Sequence, residues 1–192
     1  MTRPPRERFE QIRLVAAKTA DAAWFAYRDI ASHQADAPLG MLQREVTLQM
    51  RRPTPEQIAW AESVLAITDE AEKAKLPRLA EAYARRTLGL AKADDTLNVL
   101  VQALRIGDLA VCTIPFEPLV EIGLDLKKNS PFPTTMVIGL ANGANGYLPP
   151  PQQHKLGGYE TWLGTCRVAE DSSVILTRHL LEMLAELNKK PG

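Results

Sequence analysis

Two oxygen-bearing side chains stand where a sequence can carry chemistry to a surface. Glu117 follows Pro115-Phe116 at the end of the apolar run Leu109 to Ile114 and precedes Pro118. A carboxylate just past a strand can project from a sheet edge into a pocket, as a cation ligand or a general base. The position equally suits an acid in the first turn of a following helix, where the helix dipole favours it. Tyr147 ends the loop Asn142-Gly143-Ala144-Asn145-Gly146, whose glycines permit backbone shapes closed to other residues. Its phenol could hold a cation or donate a proton, while a tyrosine in a loop also commonly packs its ring and exposes its hydroxyl.

The remaining reactive side chains are scattered. His33 and His179 read as surface or helix-dipole residues, and His154, in Gln152-Gln153-His154-Lys155, reads as a polar loop residue near the suspected site. Cys112 lies in an apolar run and reads as a buried small hydrophobe, whereas Cys166 follows a loop and reads as accessible. The two cysteines form neither a metal pair nor a disulfide framework. There is no HExxH, HxH, CxxC, GxSxG, Walker or dinucleotide pattern. The residues by themselves assemble no complete catalytic constellation.

The elements that must position Glu117 and Tyr147 follow from periodicity. Ile12, Val15, Ala16, Thr19, Ala22, Ala23, Ala26 and Ile30 mark an amphipathic helix over 9–30. Leu42 to Met50 alternates as a strand, with Arg44 interrupting its apolar set as at a sheet edge. Thr54-Pro55-Glu56-Gln57 is a capping box with proline at the first helical position, starting a helix to about Ala66. A second helix over 70–88 is interrupted or restarted at Pro77. These two helices read as a surface-packed pair rather than as part of a site.

Leu97 to Ile106 and Leu109 to Ile114 read as a hairpin turning at Gly107-Asp108. A short helix over 118–128 follows, and Met136-Val137-Ile138-Gly139-Leu140 reads as a buried strand. It feeds a long loop stiffened by Pro149-Pro150-Pro151 and bent again at Gly157-Gly158. So costly a loop reads as the wall of a site. A last helix over 171–188 turns Leu180, Leu184 and Leu187 inward. The fold class is α/β or α+β, a mixed central sheet with flanking helices.

Composition narrows the partners. At 192 residues, with 45% hydrophobic and 24% charged residues, the chain has the make-up of an ordinary globular domain with a core of its own. Lys plus Arg equals Asp plus Glu at 23 each, which supplies no general attraction to nucleic acid or an anionic membrane. The one basic concentration, Arg3, Arg6, Arg8 and Arg13, is interleaved with Glu7 and Glu10 and reads as a solvated helix start. No transmembrane segment or signal peptide is visible, and localisation stays unassigned.

Several segments together resemble the neutral/alkaline, non-lysosomal ceramidase family and its bacterial ceramidase-like relatives. They are Arg51-Arg52-Pro53-Thr54-Pro55-Glu56, Gln102 to Asp108, Ile114-Pro115-Phe116-Glu117, Glu121 to Leu124, Ser130-Pro131-Phe132, and Leu140 to Thr161. The resemblance covers most of residues 1–192, which it places as a single portion, the C-terminal half, of a larger catalytic domain. It implies a zinc-dependent hydrolase of an N-acyl amide, ceramide or a related lipid amide. In that family a glutamate and a tyrosine from this half join two histidines from the N-terminal half around one Zn2+. Glu117 matches the glutamate and Tyr147 the tyrosine, with Phe116 where relatives often have glycine and Ala144 where they commonly have a further tyrosine.

The histidine-bearing half has no counterpart here. The resemblance therefore implies a fragment inactive alone, possessing a separate N-terminal half as partner. The alternative is a non-catalytic binding or assembly module that keeps the scaffold. A fragment should also bare an apolar sheet edge or face where the other half would sit.

Overall fold

The computed structural model describes residues 7–33 and 35–189. Arg3 and Arg6 of the basic cluster lie outside them. Contacts divide the chain into two compact units, 1–37 and 38–192. The first holds one helix, α1 (Glu10–Arg28), as its apolar periodicity predicts; none of its residues is buried.

The second unit contains β1 (Leu39–Gln49), α2 (Pro55–Ala66), α3 (Glu70–Lys73), α4 (Ala80–Ala91), β2 (Thr96–Ile106), β3 (Leu109–Ile114) and β4 (Glu117–Pro118). It continues with α5 (Val120–Asn129), β5 (Thr134–Gly139), β6 (Tyr147–Leu148), α6 (Pro151–Leu156), a 3-10 turn (Tyr159–Thr161) and α7 (Ser172–Lys189). The fold is mixed α and β, as read from the sequence.

A four-stranded sheet of order β1-β2-β3-β5 forms the centre. β1 pairs antiparallel with β2, and β2 with β3 through a turn where Gly107 takes φ 60°. β5 then joins β3 in parallel, with α5 as the crossover. One face of the sheet is covered by α7, with α5 against α7 and β5. Val46, Leu48, Val99, Val101, Ala103, Cys112 and Ile114 meet Leu176, Leu180, Met183, Leu184 and Leu187 in a core with almost no exposed area. Arg44, on the covered side of the edge strand, reaches Glu182 (2.6 Å) and His179 Nδ1 (2.9 Å) on α7. That contact explains the charge interrupting the apolar set.

No element of residues 38–189 covers the other face. Its registered row Met41, Leu104, Val111, Met136 crosses all four strands. Met41 and Met136 are 55% and 52% exposed. The sequence reading of β5 as a buried strand is corrected here: Met136 and Ile138 point to the bare face, and only Thr135 is buried. The run is apolar because both its faces are, but only one has a partner. The row lies among polar residues of the same face, Gln43, Glu45, Thr47, Asn98 and Gln102.

α2 begins as predicted. Thr54 Oγ1 accepts from the Gln57 amide (3.3 Å), and Gln57 Oε1 accepts from the Thr54 amide (2.9 Å). Pro77 divides the expected 70–88 helix into α3 and α4. α2 and α4 close a second, smaller core of Ala61, Val64, Ala80 and Ala84.

Candidate functional site

Glu117 and Tyr147 are brought together by the backbone. β4 and β6 form a two-stranded parallel sheet in which Glu117 is the direct partner of Tyr147. The Glu117 amide donates to the Gly146 carbonyl (2.9 Å), and the Tyr147 amide to the Thr165 carbonyl (3.0 Å). The approach is possible because residue 146 is glycine. At φ 89°, a Cβ there would stand 2.4 Å from the Thr165 carbonyl oxygen.

The loop between β5 and β6 is anchored at several points. The Asn145 amide and side chain both donate to the Pro115 carbonyl (3.0 Å each), and the Leu140 amide donates to that of Phe116 (2.8 Å). Phe116 is fully buried, holding the strand end that carries Glu117. Asn142 Nδ2 donates to Gln102 Oε1 (2.9 Å) and Thr113 Oγ1 (3.2 Å), tying the loop to the sheet.

Rings fix the phenol from the other side. Tyr147 meets Tyr159 edge-on at 5.8 Å, Tyr159 meets Trp162 at 5.7 Å, and Trp162 meets Tyr83 of α4 at 5.4 Å. The Glu117 carboxylate, by hydrogen bonding and by charge, holds the Tyr147 phenol above its ordinary pKa.

These residues line a cavity of about 540 Å³, together with Met50, Leu90, Leu140, Tyr159, Thr165 and two arginines, Arg86 and Arg167. The sequence reading of α2 and α4 as mere surface packing is thereby corrected for α4, which supplies Arg86 and Leu90. An exposed arginine on an alanine-rich helix carries no local mark of this role. A larger groove of about 920 Å³ runs between α5 and α7, away from both Glu117 and Tyr147.

Two further expectations are overturned. Cys166 is buried, because its segment bridges to Gly146 and lies beneath the loop. His154 is on α6 rather than in a loop; its side chain is only 3% exposed, and Nε2 has no hydrogen-bond partner. Burial lowers its pKa, with Glu170, 3.9 Å away, partly opposing. Cys112 is buried as expected, its thiol pushed up to about 12. His179 is part-buried against Arg44, while His33 is exposed. None of the three histidines lines the cavity. Among the described residues, no group of three His, Cys, Asp or Glu side chains could hold a metal, and no helix is long and apolar enough to cross a membrane.

No protein-family model matches the chain, and no curated protein matches it in sequence. Solved structures do. The neutral ceramidase from Pseudomonas aeruginosa is similar over 99% of this chain at 14% identity, with a TM-score of 0.66. A ceramidase complexed with C2 is similar over 48% of this chain and 15% of its own, at 18% identity and a TM-score of 0.44. The chain spans 35% of the length of the Pseudomonas enzyme. In fold, this chain is ceramidase-like.

Proposed function

We propose that Glu117 and Tyr147 are the two oxygen ligands this chain contributes to a zinc centre that hydrolyses an N-acyl amide, ceramide or a related lipid amide. The observation that carries the reading is their direct pairing across β4 and β6, on the wall of a cavity. The ceramidase-like fold supports the same assignment.

The donor chemistry fits part of a zinc set. A catalytic zinc takes about three protein ligands and keeps one position open. Here a carboxylate and a phenol lie side by side, and the carboxylate keeps the proton on the phenol. Glu117 and Tyr147 would together hold a divalent cation, whose charge would favour loss of the phenol's proton. The missing imidazoles come from another segment, so the chain is inactive by itself.

Bound there, Zn2+ would supply a Lewis acid and a water with its pKa lowered to about 7. The chain's own residues do the rest by position. The β4–β6 pairing sets the spacing of the two oxygens. Tyr159 and Trp162 hold the Tyr147 ring at its angle, and Met50, Leu90 and Leu140 offer apolar surface for an acyl chain. The products would be a fatty acid and an amine.

Zinc titration by calorimetry tests this. The chain alone takes up zinc weakly, and less still as Glu117→Ala. When a polypeptide supplying the two imidazoles completes the centre, amide hydrolysis appears. Glu117→Ala then lowers it by more than about 100-fold, beyond the loss of a supporting outer contact, and Tyr147→Phe reduces turnover. Tight stoichiometric zinc binding by the isolated chain, or full turnover in both variants, contradicts the assignment.

A second reading is a non-catalytic assembly module. The exposed apolar row of Met41, Leu104, Val111 and Met136 favours it, since that strip can join another chain whether or not the cavity is active.

A further inference from the structure

We propose that the cavity around Glu117 and Tyr147 takes an amphipathic amide bearing a negatively charged group, held by Arg167 and Arg86. The substrate class thus narrows from neutral lipid amides to N-acyl amines that carry a carboxylate. This assignment rests on the amide-hydrolysis reading of the same cavity.

Four arginines surround this end of the molecule, and they divide sharply. Arg51 Nη1 donates to the carbonyls of Thr161 (2.7 Å) and Cys166 (3.3 Å). Arg52 donates to the Leu90 carbonyl (2.6 Å) and pairs with Asp95. Both are structural. Arg86 and Arg167, by contrast, line the cavity, and among the described residues neither side chain has an ion pair or hydrogen bond. Arg86 only rests its guanidinium over the Tyr83 ring, at 5.5 Å.

The backbone makes room for Arg86. Gly164, at φ 87°, lies where a Cβ would come within 3.0 Å of the Arg86 Cβ. A Cβ on Gly146 would sit 4.0 Å from Arg167 Nε as well as striking the Thr165 carbonyl. Gly164 thus lets the Arg86 stem pack closely beside this end of the cavity, while Arg167 lies at ordinary contact distance from residue 146.

A third feature is independent of charge. Thr165 lines the cavity and is 5% exposed, yet its hydroxyl is buried with no hydrogen-bond partner. With two guanidiniums against the single Glu117 carboxylate, the lining carries one positive charge in excess. A planar carboxylate suits the guanidinium fork, and Met50, Leu90 and Leu140 suit an acyl chain.

The test uses N-dodecanoylglycine and its neutral methyl ester as probes, titrated calorimetrically into the whole chain. The acid binds at least about tenfold more tightly than the ester, the scale of a charge-assisted hydrogen bond. Raised salt narrows the gap. Arg167→Gln and Arg86→Gln each weaken the acid several-fold and leave the ester unchanged, while Arg167→Lys keeps part of the preference. Equal or tighter binding of the ester, or no measurable binding of the acid, overturns the proposal.

Zinc uptake, read separately, tells the two failures apart. If Glu117→Ala lowers zinc uptake but acid and ester bind alike, the anion site falls and the hydrolase reading stands. If the acid preference holds but Glu117→Ala leaves zinc uptake unchanged, the reverse is true.

Discussion

The two faces of the central sheet differ both in composition and in cover. On one, Leu48, Val101 and Ala103 lie under Leu180 and Leu184 of α7, all with no exposed area. On the other, Gln43, Glu45, Thr47, Asn98 and Gln102 are polar, and a single apolar row, Met41, Leu104, Val111 and Met136, has nothing from residues 38–189 over it. The comparison teaches that an apolar row is not by itself a sign of cover: the face under α7 supplies the stability of the second unit, and the other row is left unpartnered by residues 38–189.

Substitutions on the two faces should therefore separate widely. Leu184→Ala removes a fully buried side chain from beneath the sheet and should destabilise by about 2–5 kcal/mol in chemical denaturation. Met136→Ala, on the bare face, should change stability by no more than about 0.5 kcal/mol. Equal losses would mean that the bare face is packed in the isolated chain, and the contrast would fail.

Association should respond the other way. Met41→Lys combined with Met136→Lys puts two charges into the exposed row. Sedimentation velocity should show less self-association than wild type across a concentration series, with the melting temperature nearly unchanged. A chain that is monomeric at every concentration before substitution would remove the case for the bare face as a docking surface.

The smallest effect concerns pH. Burial, chiefly, and Arg44 hold His179 on the covered side below its ordinary 6.5, with Glu182 opposing; burial does the same to His154. An unfolded chain then binds more protons than the folded one below that pH, so acid favours unfolding. Their contribution to stability is whole above about pH 6.5 and declines as pH falls toward the lowered folded values. The melting temperature should drop between pH 7.5 and 5.5, less steeply in His179→Gln, and unchanged in slope for bare-face variants. A flat profile in wild type would show that neither imidazole is held neutral by burial.

Much of this architecture was legible in residue order because it depends on near neighbours. The capping box at Thr54 and Gln57, the turn at Gly107, the break at Pro77 and the inward leucines of α7 are local, and each element formed where its signals stood. Glu117 and Tyr147 were also marked by position, one past a strand end and the other after a glycine-bent loop. Their pairing was not, since it needs the parallel β4–β6 ladder to close.

What the sequence by itself determined was therefore the elements, the apolar side of each, and two oxygen-bearing candidates. Tertiary structure alone decided that β5 would be half bare, that Cys166 and His154 would be buried, and that Arg86 would share a cavity with Tyr147. Periodicity names the side of a helix or strand that avoids water, because that depends on spacing along one element. Which other element covers that side, and which distant side chains then meet, is settled only by long-range packing.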